Sequence, residues 1–214
     1  MNKDEIYKIL MQLPIPLVGG LCFSSRFQPL IKDECLDMIK GVIEISQPKN
    51  ILEFGTHCGS SSLLFLALSN SNVISVDLCD GKTGHIEMDY SYFDYFVPGN
   101  HPGINLVIRT FNRVFPGRFK FIAGDSTSQK VFDQIKDTKF ELHFIDGGHS
   151  YDCAHADALT CVKLGIKYAL VDDYTTSEDI RRACEIPEFE LVKIYENVHN
   201  VASVGCALFL NKNV

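Results

Sequence analysis

The chain has 214 residues, of which 46% are hydrophobic and 22% charged, the usage of an ordinary globular protein with a sizeable core and not of a disordered one. Twenty Lys and Arg stand against 27 Asp and Glu, a formal net charge of -7, so the basic footprint that captures nucleic-acid phosphates is absent and such a partner is disfavoured. Met1 to Leu13 carries two acids and two lysines with no long apolar run behind it, so neither a signal peptide nor a membrane span is readable and a cytoplasmic location is expected. The eight cysteines, at 22, 35, 58, 79, 153, 161, 184 and 206, form no C-x-x-C pair and read as reduced thiols.

In chain order, Ile6, Ile9, Leu10 and Leu13 form a helical stripe, expected to pack on its own domain. Leu36, Ile39, Val42 and Ile43 predict a helix from Lys32 to Ile45 that Pro48 stops. Ile51 to Phe54 reads as a short buried strand. Ser60, Ser61 and Ser62 then open an apolar run through Leu63, Leu64, Phe65 and Leu68, where a serine can cap a helix. Val73 to Val76 predicts a second strand. Beyond Asp80, Tyr90, Tyr92, Phe93, Tyr95 and Phe96 precede Pro98, Gly99, Pro102 and Gly103, which reads as an insertion able to cover a site. Phe119 to Ala123, Leu142 to Ile145 and Tyr168 to Val171 predict three further strands, separated by helices. Phe189 to Ile194 and Val204 to Leu210 lie on either side of a polar loop without a helix, as an antiparallel pair requires. The alternation of strand and helix predicts an α/β doubly wound sheet in one domain over residues 1–214, with a helical part at 1–47 and an insertion at 81–117.

The turn after the first predicted strand is Glu53-Phe54-Gly55-Thr56-His57-Cys58-Gly59, a glycine loop leading into a helix, where backbone amides approach a ligand closely. A tight turn alone also explains it. A dinucleotide site would carry G-x-G-x-x-G, whereas these glycines are four apart. The second strand ends at Asp77, 22 residues after Gly55, where a carboxylate can accept from both ribose hydroxyls. The third ends at Gly124-Asp125-Ser126, which could read an adenine edge. Successive strands ending in small or acidic residues favour a nucleoside cleft over a set of unrelated caps.

Glu53-Phe54-Gly55-Thr56-x-x-Gly59, Val76-Asp77, Gly124-Asp125-Ser126 and the final strand pair resemble class I S-adenosylmethionine-dependent methyltransferases, from about Asn50 to Leu210. Phe144-Ile145-Asp146-Gly147-Gly148-His149-Ser150-Tyr151 with Val171-Asp172-Asp173-Tyr174 is similar to the metal-dependent macrolide and aminocoumarin sugar O-methyltransferases. The resemblance implies a Rossmann-like sheet of order 3-2-1-4-5-7-6 with strand 7 antiparallel. It places the methionine moiety by Glu53 to Gly59, the ribose at Asp77 and the adenine at Asp125 and Ser126, and it brings Ser60, Leu78 and Asp146 to the same cofactor. It also assigns Asp146, Asp172 and Asp173 to a divalent metal. Clustered carboxylates are hard oxygen donors that suit Mg²⁺ or another hard divalent cation, although an Asp of the pair could instead cap a helix near Ser177.

His149 stands three residues after Asp146, where these families place their general base, and an imidazole with a pKa of about 6.5 suits proton removal near neutrality. The alternative is a helix-start residue bonded to backbone. The expected reaction is S-adenosylmethionine-dependent O-methylation of a small hydroxylated acceptor, of sugar or phenol type; a homo-oligomer is compatible with it. A nicotinamide-dependent dehydrogenase and a non-catalytic S-adenosylmethionine-binding domain are the competing readings, the first opposed by the missing G-x-G-x-x-G.

Overall fold

In a computed structural model of the chain, residues 1–13, 23–25, 28–57, 59–78, 102–198 and 204–214 are described. The first helix, α1 (Lys3–Leu10), starts at a capping box in which Asn2 Oδ1 accepts from the Glu5 amide and the Glu5 carboxylate accepts from the Asn2 amide. Its stripe is buried, with Ile6 fully enclosed. Two short strands, β1 (Phe23–Ser25) and β2 (Gln28–Leu30), pair antiparallel before α2, an element that a helical stripe does not predict. Helix α2 (Asp33–Ser46) buries Cys35, Leu36, Met38, Ile39 and Val42, and it ends at Gln47, whose left-handed φ of 41° turns the chain into Pro48.

The main sheet begins with β3 (Asn50–Phe54), followed by α3 (Ser60–Leu68) and β4 (Asn72–Asp77). Helix α4 (Pro102–Val114), β5 (Phe119–Ala123), α5 (Gln129–Ile135) and β6 (Leu142–Ile145) come next. Helix α6 (Tyr151–Lys163), β7 (Tyr168–Val171), α7 (Glu178–Cys184), β8 (Phe189–Tyr195) and β9 (Cys206–Asn211) complete the chain. The order across the sheet is β5-β4-β3-β6-β7-β9-β8, with β9 antiparallel to both neighbours. Counted from β3 as strand 1, this is the expected 3-2-1-4-5-7-6 with strand 7 antiparallel.

The two-residue period of each strand divides the interior in two. Ile51, Val73, Leu142, Phe144 and Leu170 face α1 to α4, whereas Leu52, Phe54, Val76, Ile145 and Val171 join the core beneath α5 to α7. The strand order reverses between β3 and β6, so their carboxyl ends open a crevice at the switch point of the sheet, where ligands of open α/β sheets bind. Residues 102–114 of the expected insertion form α4, whose Val107 and Phe111 are fully buried in the first core; the aromatic stretch 90–96 lies outside the described residues.

Among the described residues Cys35, Cys153, Cys161, Cys184 and Cys206 are free thiols. No helix among the described residues is long and apolar enough to cross a membrane.

Candidate functional site

The glycine loop follows β3 and is shaped by close approach. Gly55 has φ +93°, and a Cβ there would lie 1.9 Å from the Asp146 carbonyl oxygen, so any side chain would separate the loops after β3 and β6. Gly59 has φ +80° and stands where a Cβ would meet Val107 of α4 at 2.7 Å. It is also the N-cap of α3 and gives that helix no side-chain cap. The serines that follow have other work. Ser61 donates to Glu53 Oε1 and Ser75 to Oε2, each at 2.5 Å, Ser62 also donates to Oε2, and Thr56 Oγ1 lies 2.6 Å from Ser75 Oγ. Glu53 is 0% exposed; burial pushes its carboxyl up, and the three hydroxyls oppose that shift. Its carboxylate therefore braces the loop by tying β3 to α3 and β4.

Asp77 ends β4 half-buried, and its Oδ2 accepts the His57 amide at 2.8 Å, which ties the glycine loop to the second strand. His57 itself takes a left-handed φ of 46°. Leu78 is exposed, and Ser60 is half-buried beside Gly59. After β5, Gly124 continues the ladder to Asp77, while Asp125 Oδ1 accepts from both the amide and the hydroxyl of Thr127 at 2.9 and 2.7 Å. Ser126 Oγ donates to Asp157 Oδ1 on α6 at 2.8 Å.

The acidic residues stand one strand further on. Asp146 follows β6 and Asp173 follows β7 at a left-handed φ of 53°. His149 lies between them, with Nε2 3.7 Å from Asp146 Oδ1 and Nδ1 3.5 Å from Asp173 Oδ2. One ligand atom from each of the three falls within 4.8 Å of the others, spacing that could hold a metal ion. Asp172 sits behind this group, 3% exposed, with Oδ1 accepting from the Cys206 thiol at 2.9 Å. Ile145, Gly148, Val171 and Asp172 help to line the small cleft around Asp146 and His149.

Enclosure, followed by the like charge of Asp172, raises the Asp146 carboxyl to about 7. The adjoining Asp146 carboxylate, with those of Asp173 and Asp172 behind it, raises His149 to about 9 against the opposing effect of burial. The ring thus stands where the Asp146 and Asp173 carboxylates converge. The helix-cap alternatives are taken by other residues: Ser177 caps α7 by accepting from the Ile180 amide, and Ser150 caps α6 by accepting from the Cys153 amide. His143, in the middle of β6, is fully buried edge-on to Phe54.

Comparison with curated proteins returns no sequence match. Solved structures share the architecture. An O-methyltransferase from Bacillus cereus in complex with SAH superposes with a TM-score of 0.65 at 15% identity, over 99% of this chain and 92% of that one. The O-methyltransferase TomG from Streptomyces achromogenes, involved in tomaymycin synthesis and in complex with SAM, superposes with a TM-score of 0.59 at 12% identity, over 99% and 90%. At these identities the likeness concerns the fold. The family model described as a methyltransferase domain matches residues 52–171, the stretch from β3 to β7 that carries the glycine loop, Asp77, Ser126, Asp146 and His149. With more than half of its length inside that match, the chain belongs to the methyltransferase domain family.

Proposed function

We propose that the chain is an S-adenosylmethionine-dependent O-methyltransferase for a small hydroxylated acceptor, with Asp146, Asp172 and Asp173 holding a hard divalent cation and His149 taking the acceptor proton. The observation that carries this reading is His149 seated between Asp146 and Asp173 beside the glycine loop. Family membership sets aside the nicotinamide-dependent alternative, and the solved structures that hold SAM or SAH in this fold support the choice of cofactor.

The residues fit a nucleoside thioether. A carboxylate at Asp77 repels phosphate but accepts from ribose hydroxyls, and no G-x-G-x-x-G is present to seat a pyrophosphate. Gly55, Thr56, Gly59 and Ser60 surround the methionine end in this reading, Asp77 and Leu78 the ribose, and Gly124, Asp125 and Ser126 the base. Glu53 acts through the loop that it braces.

The donor set fits a cation as well. Asp146 and Asp173, at neighbouring strand ends, bring hard oxygens within 4.8 Å of each other, and the raised Asp146 carboxyl marks a charge that positive neighbours would relieve. Asp172 contributes through a carboxylate that Cys206 orients.

S-adenosylmethionine supplies an electrophilic methyl group, and a hard cation supplies positive charge that eases ionisation of a nearby hydroxyl. The acceptor O–H gives its proton to His149 as the O–CH₃ bond forms and the S–CH₃ bond breaks, leaving a methyl ether and S-adenosylhomocysteine. Asp146 and Asp173 keep the ring in place for this transfer, and the negative charge that a cation would leave uncompensated stabilises the imidazolium that results.

Calorimetric titration with S-adenosylmethionine tests the cofactor, and an acceptor screen with and without EDTA tests the cation. Binding without EDTA-sensitive turnover on any hydroxylated acceptor that is methylated would remove the cation from the reaction.

A further inference from the structure

Asp157 is a buried acid for which the reaction has no use. It lies in the middle of α6, flanked at helical spacing by Ala154, Ala158 and Cys161, all buried with it. Its carboxylate is 0% exposed and has no cationic partner among the described residues. Oδ1 accepts the Ser126 hydroxyl at 2.8 Å, whereas Oδ2 has no hydrogen-bond partner among the described residues. The turn after β6 presses on the same group, since a Cβ at Gly147 would stand 2.8 Å from Oδ2. Burial raises this carboxyl to about 7, a cost that an apolar residue on the same helix face would avoid. What the acid supplies is an acceptor for one particular hydrogen.

That hydrogen matters because Ser126 stands in the loop between β5 and α5, at the strand end that the cofactor reading gives to the base. A serine hydroxyl has one hydrogen and two lone pairs. With the hydrogen directed to Asp157, the polar valence left to Ser126 is acceptor only. An N9-substituted adenine presents its ring nitrogens as acceptors and has a single donor group, the exocyclic amine. An acceptor-only Ser126 can pair with that amine and with no ring nitrogen.

We propose that Asp157 is a positioning residue that fixes the polarity of Ser126, so that the cleft selects a purine carrying an exocyclic amino group. The proposal rests on the reading that Ser126 faces the base of S-adenosylmethionine. In its ionised form the Asp157 carboxylate can only accept, so it holds the Ser126 hydrogen at Oδ1.

The test measures affinity for S-adenosylhomocysteine and for its analogue with unsubstituted purine as the base, and uses the ratio of the two. Asp157→Leu and Asp157→Ala both remove the acceptor, one filling the space and one leaving it, so either folded variant suffices. The freed Ser126 hydroxyl can then donate to a ring nitrogen, and the ratio should fall roughly tenfold, the scale of one hydrogen bond. Ser126→Ala should lower the ratio similarly, and Asp157→Leu added to Ser126→Ala should lower it no further. A merely structural role would weaken both ligands alike; an unchanged ratio in a folded Asp157 variant, or in Ser126→Ala, overturns the proposal. Wild-type protein that binds neither ligand overturns the cofactor reading and the proposal together, whereas wild-type binding with an unmoved ratio overturns the proposal alone.

Discussion

Nδ1 of His149 lies 3.5 Å from Oδ2 of Asp173, close enough for the carboxylate to stabilise the imidazolium and too long for a strong hydrogen bond. With Asp146 on its other side, the ring is raised to about 9 from an ordinary 6.5. This is a histidine charged at neutrality, the wrong state for a base. A cation bound by the same carboxylates would oppose the imidazolium and expel its proton, so metal affinity and His149 ionisation are linked. In NMR titrations of cation-free protein, His149 should titrate well above 6.5, and excess Mg²⁺ should move it down. Asp173→Asn should also lower it. A titration that Mg²⁺ leaves in place would argue against a cation at this cluster.

The tie between Asp77 and the His57 amide, 2.8 Å long, holds the glycine loop to β4, and the proposed function gives the same carboxylate the ribose hydroxyls as well. Asp77→Ala should therefore weaken S-adenosylmethionine binding by roughly 1.5–3 kcal/mol through lost charge-assisted hydrogen bonds. Calorimetry on folded variant protein measures this, and affinity equal to wild type would remove Asp77 from the ribose site.

His143 supplies a prediction about stability. Both ring nitrogens lack hydrogen-bond partners among the described residues, and full burial pushes the imidazole down to about 3 from 6.5. The folded state thus binds its proton only at strongly acid pH, while the unfolded chain binds one below 6.5. The sign follows: His143 leaves stability unaffected above 6.5 and removes stability as pH falls from there towards 3. His143→Leu should show a smaller loss of denaturation midpoint between neutrality and pH 4 than wild type. Parallel curves for the two proteins would mean that His143 is solvated or paired.

The sheet was legible because buried parallel strands are written as short apolar runs ending in Gly or Asp. Phe119–Ala123, Leu142–Ile145 and Tyr168–Val171 agree with the sequence pattern to the residue. The site was harder to read where one residue type serves two purposes. Three consecutive serines at a helix start look like caps, yet Ser61 and Ser62 donate to Glu53, eight and nine residues earlier. A signal existed, since Glu53 shares a strand face with Ile51, and an acid there needs hydroxyl partners. Asp157 was marked by its apolar neighbours at positions 154, 158 and 161. The Cys206–Asp172 contact joins residues 34 apart in sequence, and no local pattern encodes it.

The catalytic role proposed for His149 can be separated from a structural one by kinetics. The ring is 45% exposed along its side chain, so His149→Ala should fold, and affinity for S-adenosylmethionine should stay within a few-fold. If the imidazole removes the acceptor proton, kcat should fall by roughly 10² to 10⁴. The pH profile supplies the control that positioning alone would not meet. Wild-type rate should decline on the acid side through one ionisation, because an imidazolium cannot accept a proton. A cation at the neighbouring carboxylates would lower that ionisation from about 9, so saturating Mg²⁺ should carry the acid limb to lower pH. In His149→Ala that limb should vanish or move to a different ionisation. Asp173→Asn gives an independent check: with less negative charge beside the ring, its limb should lie at lower pH than wild type when both are measured at the same Mg²⁺ occupancy. Wild-type turnover in His149→Ala, with the original acid limb intact, would take His149 out of the reaction and leave proton removal to water or to another carboxylate of the cluster.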